Sequence, residues 1–132
     1  MHGFARTSVQ ALALTLALSA GTLITACKGV PMKPSYAQDL VQSLQVRLDG
    51  ENLLLNFYVQ PESLHYPSGV NYEIRDGVTR VVIDRCTVDQ TCAPMSKDPR
   101  KLGMQDAMEV RIPYSGGPVV LVHTDAEQRI YP

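Results

Sequence analysis

The stretch from Leu44 to Val59 reads LQVRLDGENLLLNFYV. Leu44, Val46 and Leu48 alternate with Gln45, Arg47 and Asp49, and beyond Asp49-Gly50 the alternation resumes with Leu53, Leu55, Phe57 and Val59. Successive side chains of a strand point to opposite faces, so a period of two puts one face in a core and the other in water. Asp-Gly tolerates the left-handed backbone of a tight turn, and between two such runs it predicts a β-hairpin. Pro61 ends the second run, because proline brings no N–H to a ladder.

Working outward, the same grammar recurs. Val70, Tyr72 and Ile74 alternate with Asn71, Glu73 and Arg75, a second Asp-Gly follows at Asp76-Gly77, and Val78 to Ile83 is largely β-branched. This predicts another hairpin, with Val81 to Ile83 buried on both faces. Met108, Val110 and Ile112 mark a further strand that stops at Pro113. Val119 to His123 and Gln128 to Tyr131 read as a third hairpin around Thr124 to Glu127. About seven short strands without a long helix make an all-β domain, a small antiparallel sandwich or barrel. A sandwich is favoured, with an immunoglobulin-like order among its forms, although the chain has no tryptophan and so lacks the Cys-Trp-Cys signature. Cys86 to Asp106, with Pro94 and Pro99, reads as a long connection holding at most one helical turn near Lys101 to Met104. Any other helix is confined to Tyr36 to Ser43.

The N-terminus follows different rules. Arg6 precedes an uncharged run from Thr7 to Ala26 rich in Leu and Ala, which is the layout of a signal peptide. Its end, Ile24-Thr25-Ala26-Cys27, resembles the lipobox of bacterial lipoproteins. The resemblance implies cleavage before Cys27, diacylglycerol on its sulfur and acylation of the new amine. Lys28 stands where an aspartate would retain such a protein at the inner membrane, so the resemblance implies an outer-membrane anchor facing the periplasm. The expected organisation is a signal peptide over 1–26, a lipidated tether over 27–39, in which Pro31 and Pro34 forbid a regular helix, and a β domain over 40–132.

Three cysteines in an exported chain leave one without a partner, and lipid on Cys27 removes the odd one. Cys86 and Cys92 then pair as a disulfide, which an oxidising compartment favours. Their spacing is wider than the usual zinc-binding pairs, and no histidine lies nearby. No metal, cofactor or catalytic residue is expected.

The 12 basic and 13 acidic side chains are interspersed, and the net charge of −1 argues against nucleic acid as a partner. Membrane attachment must rest on acyl chains, since no basic tract is present to hold anionic lipid. His65, Ser68 and an aspartate could be drawn as a nucleophile set, yet Tyr66-Pro67-Ser68-Gly69 has the composition of a polar turn and no nucleophile elbow. His123 reads as an exposed strand end.

Two segments are candidates for binding. Ser68-Gly69-Val70-Asn71-Tyr72 is similar to the Ser-Gly-x-x-Tyr motif of periplasmic lysozyme inhibitors, which implies an inhibitory role for Ser68 and Tyr72. The family's lysine-bearing motif is missing downstream, where Arg80, Val81 and Val82 stand. Lys97, Arg100 and Lys101 make the second segment locally basic, beside the expected disulfide. The sequence therefore reads as a lipid-anchored, non-catalytic binding or assembly module for an envelope or secretion-system protein, with inhibition of a lysozyme-type enzyme or toxin as the alternative. Cys27→Ser is expected to move the protein from the membrane fraction to the soluble periplasm; retention in the membrane would refute the lipid anchor.

Overall fold

A computed structural model describes Gly3 and residues 32–100, 102–103 and 106–132. Cys27, Lys101 and, apart from Gly3, the segment 1–26 expected as a signal peptide lie outside the described residues. Seven strands follow a 3-10 turn at Gln38–Leu40: β1 Val41–Asp49, β2 Asn52–Val59, β3 His65–Arg75, β4 Val78–Thr87, β5 Met108–Pro113, β6 Val119–Val122 and β7 Glu127–Tyr131. They form two sheets, β1-β2-β5 and β3-β4-β6-β7, which pack as a small all-β sandwich. The ladders are antiparallel except for β4 and β6, which run parallel with Val81 opposite Leu121. Immunoglobulin sandwiches also keep the first, second and fifth strands together, but they do not place the fourth beside the sixth.

The hydrophobic pattern sets the register. Leu53, Leu55 and Phe57 of β2 meet Ile112, Val110 and Met108 of β5, and all six are buried. From the other sheet Val70, Val81, Ile83, Val119 and Leu121 complete the same core. A slip of one residue would turn each of these faces to water. Val82 is buried as well, on the reverse of β4, where Met32 and Pro34 border the same shallow groove as Val82 and Val122.

Both Asp-Gly sites are two-residue turns, in different registers. Asp76 and Gly77 both have positive φ, the type I′ pattern, between paired Arg75 and Val78. In the first hairpin Asp49 pairs with Asn52, so the turn is Gly50-Glu51 with only Gly50 at positive φ, as type II′ requires. The two turns lie at one end of the sandwich. There the Tyr114 N–H donates to the Glu51 carbonyl, the Tyr114 hydroxyl donates to the Gly117 carbonyl, and Gly117 lies against the Gly77 carbonyl.

Four local readings change. Within residues 27–39, expected as a tether, Tyr36 is only 3 % exposed and belongs to the core, and its carbonyl accepts from the Thr124 N–H. The helix considered for Tyr36 to Ser43 shrinks to the 3-10 turn, since β1 begins at Val41 and bulges between Gln42 and Gln45, with Ser43 at positive φ. Tyr66 to Gly69 is no turn: it continues β3, with a bulge between Pro67 and Gly69 that absorbs the irregular composition. His123 is 4 % exposed, with its Nε2 3.0 Å from Gln128 Oε1. Of the turn proposed for Lys101 to Met104, Leu102 and Gly103 have no regular structure, and the rest lies outside the described residues.

The long connection is ordered by the chain on either side. Cys86 and Cys92 form a disulfide, after which residues 94–100 cross from the edge of one sheet to the edge of the other. Ser96 exchanges backbone hydrogen bonds with Val70 of β3 at 2.8 and 3.1 Å, and its hydroxyl donates to the Arg111 carbonyl of β5 at 2.5 Å. Gly69 makes this crossing sterically feasible, because a Cβ there would stand 2.2 Å from the Ser96 carbonyl oxygen and 2.7 Å from Pro94 Cγ. Gly69→Ala is expected to lower stability by about 2 kcal/mol through forced overpacking, read as a fall in the urea midpoint. Reduction of the Cys86–Cys92 ring should remove a similar amount, about 2 kcal/mol, on the chain-entropy estimate; an unchanged midpoint in dithiothreitol would refute it.

Candidate binding site

At the end opposite the Asp-Gly turns, the sheets part above the Ser96 crossing. The gap is a cleft of about 350 Å³, more apolar than polar. Three segments build it. Val59, Pro61 and Glu62 come from the exit of β2, where Pro61 turns the chain off the ladder; His65, Tyr66 and Pro67 come from the first residues of β3; Leu102, Gly103, Asp106 and Met108 come from the approach to β5. Val88, just past β4, completes the wall. Its N–H donates to the Leu64 carbonyl at 3.0 Å, which brings together two aliphatic residues that are 55 % and 63 % exposed.

The polar side chains of the cleft are mostly engaged by protein partners. Arg85 forms a two-pronged pair with Glu62, Nε to Oε1 at 3.0 Å and Nη2 to Oε2 at 2.5 Å. That hydrogen bonding holds the Glu62 carboxyl below its ordinary range. His65 Nδ1 lies 3.9 Å from Glu62 Oε2, and the Tyr66 hydroxyl donates to the Gln90 carbonyl at 3.4 Å. Asp106 Oδ2 accepts from the Gly103 N–H at 2.7 Å. Behind the ion pair lies Tyr36, its ring centre 6.0 Å from Arg85 Cζ. Burial first, and then the nearby Glu62 carboxylate, push its phenol pKa up, and among the described residues its hydroxyl has no hydrogen-bond partner.

The residues singled out from sequence are spread over separate places. Ser68 sits in the β3 bulge, and its hydroxyl donates to Asp84 Oδ2 at 2.5 Å. Tyr72 lies further along β3, packed against the core, and its N–H points to Met95 Sδ at 3.5 Å. The imagined nucleophile set is not assembled: Ser68 turns to Asp84, and His65 turns to Glu62. Lys97 and Arg100 border a different, shallow groove on the outer face of the three-stranded sheet, with Leu54, Asp98 and Arg111. Arg100 is engaged there through Nε and Nη2 to Asp98 at 3.0 and 2.7 Å. Among the described residues, no group of three or more His, Cys, Asp or Glu side chains is placed to hold a metal ion.

Sequence reasoning missed the cleft because its members come from three connections. One signal was present: Leu64 and Val88 are aliphatic residues outside any alternating run, and an apolar residue that no core claims is what a binding rim requires. No protein-family model, curated protein or solved structure matches the chain.

Asp98 anchors the crossing segment and gives it an acid dependence. Its side chain is 2 % exposed and accepts from the Glu109 N–H of β5 at 2.7 Å. Hydrogen bonds from Arg100, and then from backbone N–H groups, lower its pKa from 3.8 to about 2. A pKa lowered by folding stabilises the protein fully above the ordinary value and ceases to do so as the pH falls through the folded value. Asp98→Ala is expected to cost about 2 kcal/mol at neutral pH, with the gap from the parent protein narrowing between about pH 4 and pH 2. Equal destabilisation at both pH values in urea titrations would refute this role.

Proposed function

We propose that the protein is an outer-membrane lipoprotein, anchored through Cys27, whose domain binds an envelope or secretion-system protein without chemistry of its own. The observation that carries this reading is the cleft with exposed Val88 in its wall and exposed Leu64 bonded to Val88 through the backbone. Large aliphatic side chains held in water beside a concave apolar wall cost solvation free energy that a partner's surface would recover. Rigid elements support the site: β3 and β4 set His65 to Pro67 and Arg85, and the disulfide fixes the chain just beyond Val88. A preordered surface loses less conformational entropy on association.

The polar pattern favours binding as well. Glu62 and Arg85 satisfy each other and leave apolar area as the main open feature of the cleft, whereas a general acid or base would need a titratable group turned toward a reactant. The lipid anchor is supported by Ile24-Thr25-Ala26-Cys27 and would confine the domain to the membrane surface, where its partner would be encountered at high local concentration.

The test is affinity capture from solubilised envelope with the lipidated protein carrying a C-terminal tag, in parallel with Val88→Lys and Leu64→Asp. One envelope protein is expected with the parent and at least about tenfold less with either variant, a loss equivalent to about 1.4 kcal/mol. Equal recovery by all three would remove the cleft from the interaction. Loss of recovery accompanied by an altered circular dichroism spectrum would assign the effect to misfolding, and Pro61→Ser would then replace the failed variant.

A further inference from the structure

We infer that the partner is engaged as an added β-strand: an extended segment pairs with the uncovered first residues of β3 and places an aliphatic side chain in the cleft. This deepens the binding reading above and rests on it.

β3 is the outermost strand of its sheet, so one side of its backbone faces away from β4. Below the cleft that side is already used by the chain itself, through the antiparallel bridge between Val70 and Ser96. The main-chain groups of Val70 therefore point outward. Above the bulge, the Leu64 carbonyl is turned inward, since it accepts from Val88. Alternation along a strand then turns His65 outward, Tyr66 inward and Pro67 outward. Proline belongs at such a position, because its missing N–H faces away from the ladder.

Among the described residues, no backbone hydrogen bond outside the β3–β4 ladder engages the His65 N–H, the His65 carbonyl or the Pro67 carbonyl. His65 and Pro67 line the cleft, together with Leu102, Asp106 and Met108. An unpaired strand edge beside an apolar hollow supplies the two requirements of strand addition: main-chain hydrogen bonds for affinity and a pocket for alternate side chains for specificity. Ser96 shows in the same molecule that an antiparallel segment fits against this edge. The occupant is thus an extended, aliphatic-bearing segment of a partner protein.

The test selects short linear peptides from a phage-displayed library on the full-length protein in detergent micelles, and then measures the selected peptides with single backbone N-methyl groups. Peptides that bind the parent, lose about tenfold or more on Val88→Lys, and lose about tenfold on N-methylation at every second position would support strand addition. Dependence on Val88 without sensitivity to N-methylation would overturn strand addition and leave the binding reading intact. Selection of no peptide that depends on Val88 would overturn both. Concentration-dependent self-association abolished by Val88→Lys would overturn the partner assignment, making a second copy the occupant.

Discussion

Ser96 holds the two sheets together on one side of the sandwich. Its backbone pairs with Val70 of β3 while its hydroxyl reaches the Arg111 carbonyl of β5, so one residue bonds an edge strand of each sheet. Sandwich edges expose unpaired amides that invite unwanted pairing, and a crossing segment is one way to cover them. Everything else on that side follows from it. Gly69 must lack a side chain because Ser96 and Pro94 pass so close, and Asn71 accepts the Met95 N–H at 2.9 Å. Asp98 must be ionised because it receives the Glu109 N–H and the Arg100 guanidinium at a nearly buried site.

The same crossing defines the cleft by where it stops. Below it, β3 and β5 are joined through the protein's own backbone; above it, the sheets diverge, and His65 to Pro67 are left facing Leu102 and Met108. The two ends of the sandwich consequently differ in character. One is closed by tight turns, with Tyr114 bonding both Glu51 and Gly117. The other carries longer connections and the disulfide; aliphatic side chains are exposed at both, Leu48 and Ile74 beside the turns and Leu64 and Val88 here. Long connections on a rigid β scaffold are the usual carriers of recognition, and here the scaffold leaves only one end free to hold them.

Tyr36 links the approach to the domain with this end. Its ring lies under Arg85, Arg85 grips Glu62, and Glu62 faces both the cleft and His65. Among the described residues the Tyr36 hydroxyl is the buried side-chain polar atom left without a hydrogen-bond partner, an unfavourable element of the core. The ring nevertheless belongs to the hydrophobic core, with Arg85 of β4 over it and the Thr124 N–H bonded to the Tyr36 carbonyl. The N-terminal approach is therefore part of the packed structure from Tyr36 onward.

Local rules determined the strands. Alternation in Leu44 to Val59 and Val70 to Ile83, together with two Asp-Gly turns, dictated hairpins because pairing between sequence neighbours needs only the pleat and the turn. The cysteine pairing was also legible, from parity and spacing. The parallel contact of β4 with β6 was not, since strand order depends on which apolar faces meet across the whole core. Nor could composition show that Tyr66 to Gly69 would be drawn into β3: Pro, Ser and Gly favour a turn until a bulge accommodates them against Asp84. His123 read as an exposed strand end because burial of a polar aromatic is settled by neighbours distant in sequence. The cleft belongs wholly to the tertiary structure: three connections from separate parts of the chain converge there, and no local period records where they meet.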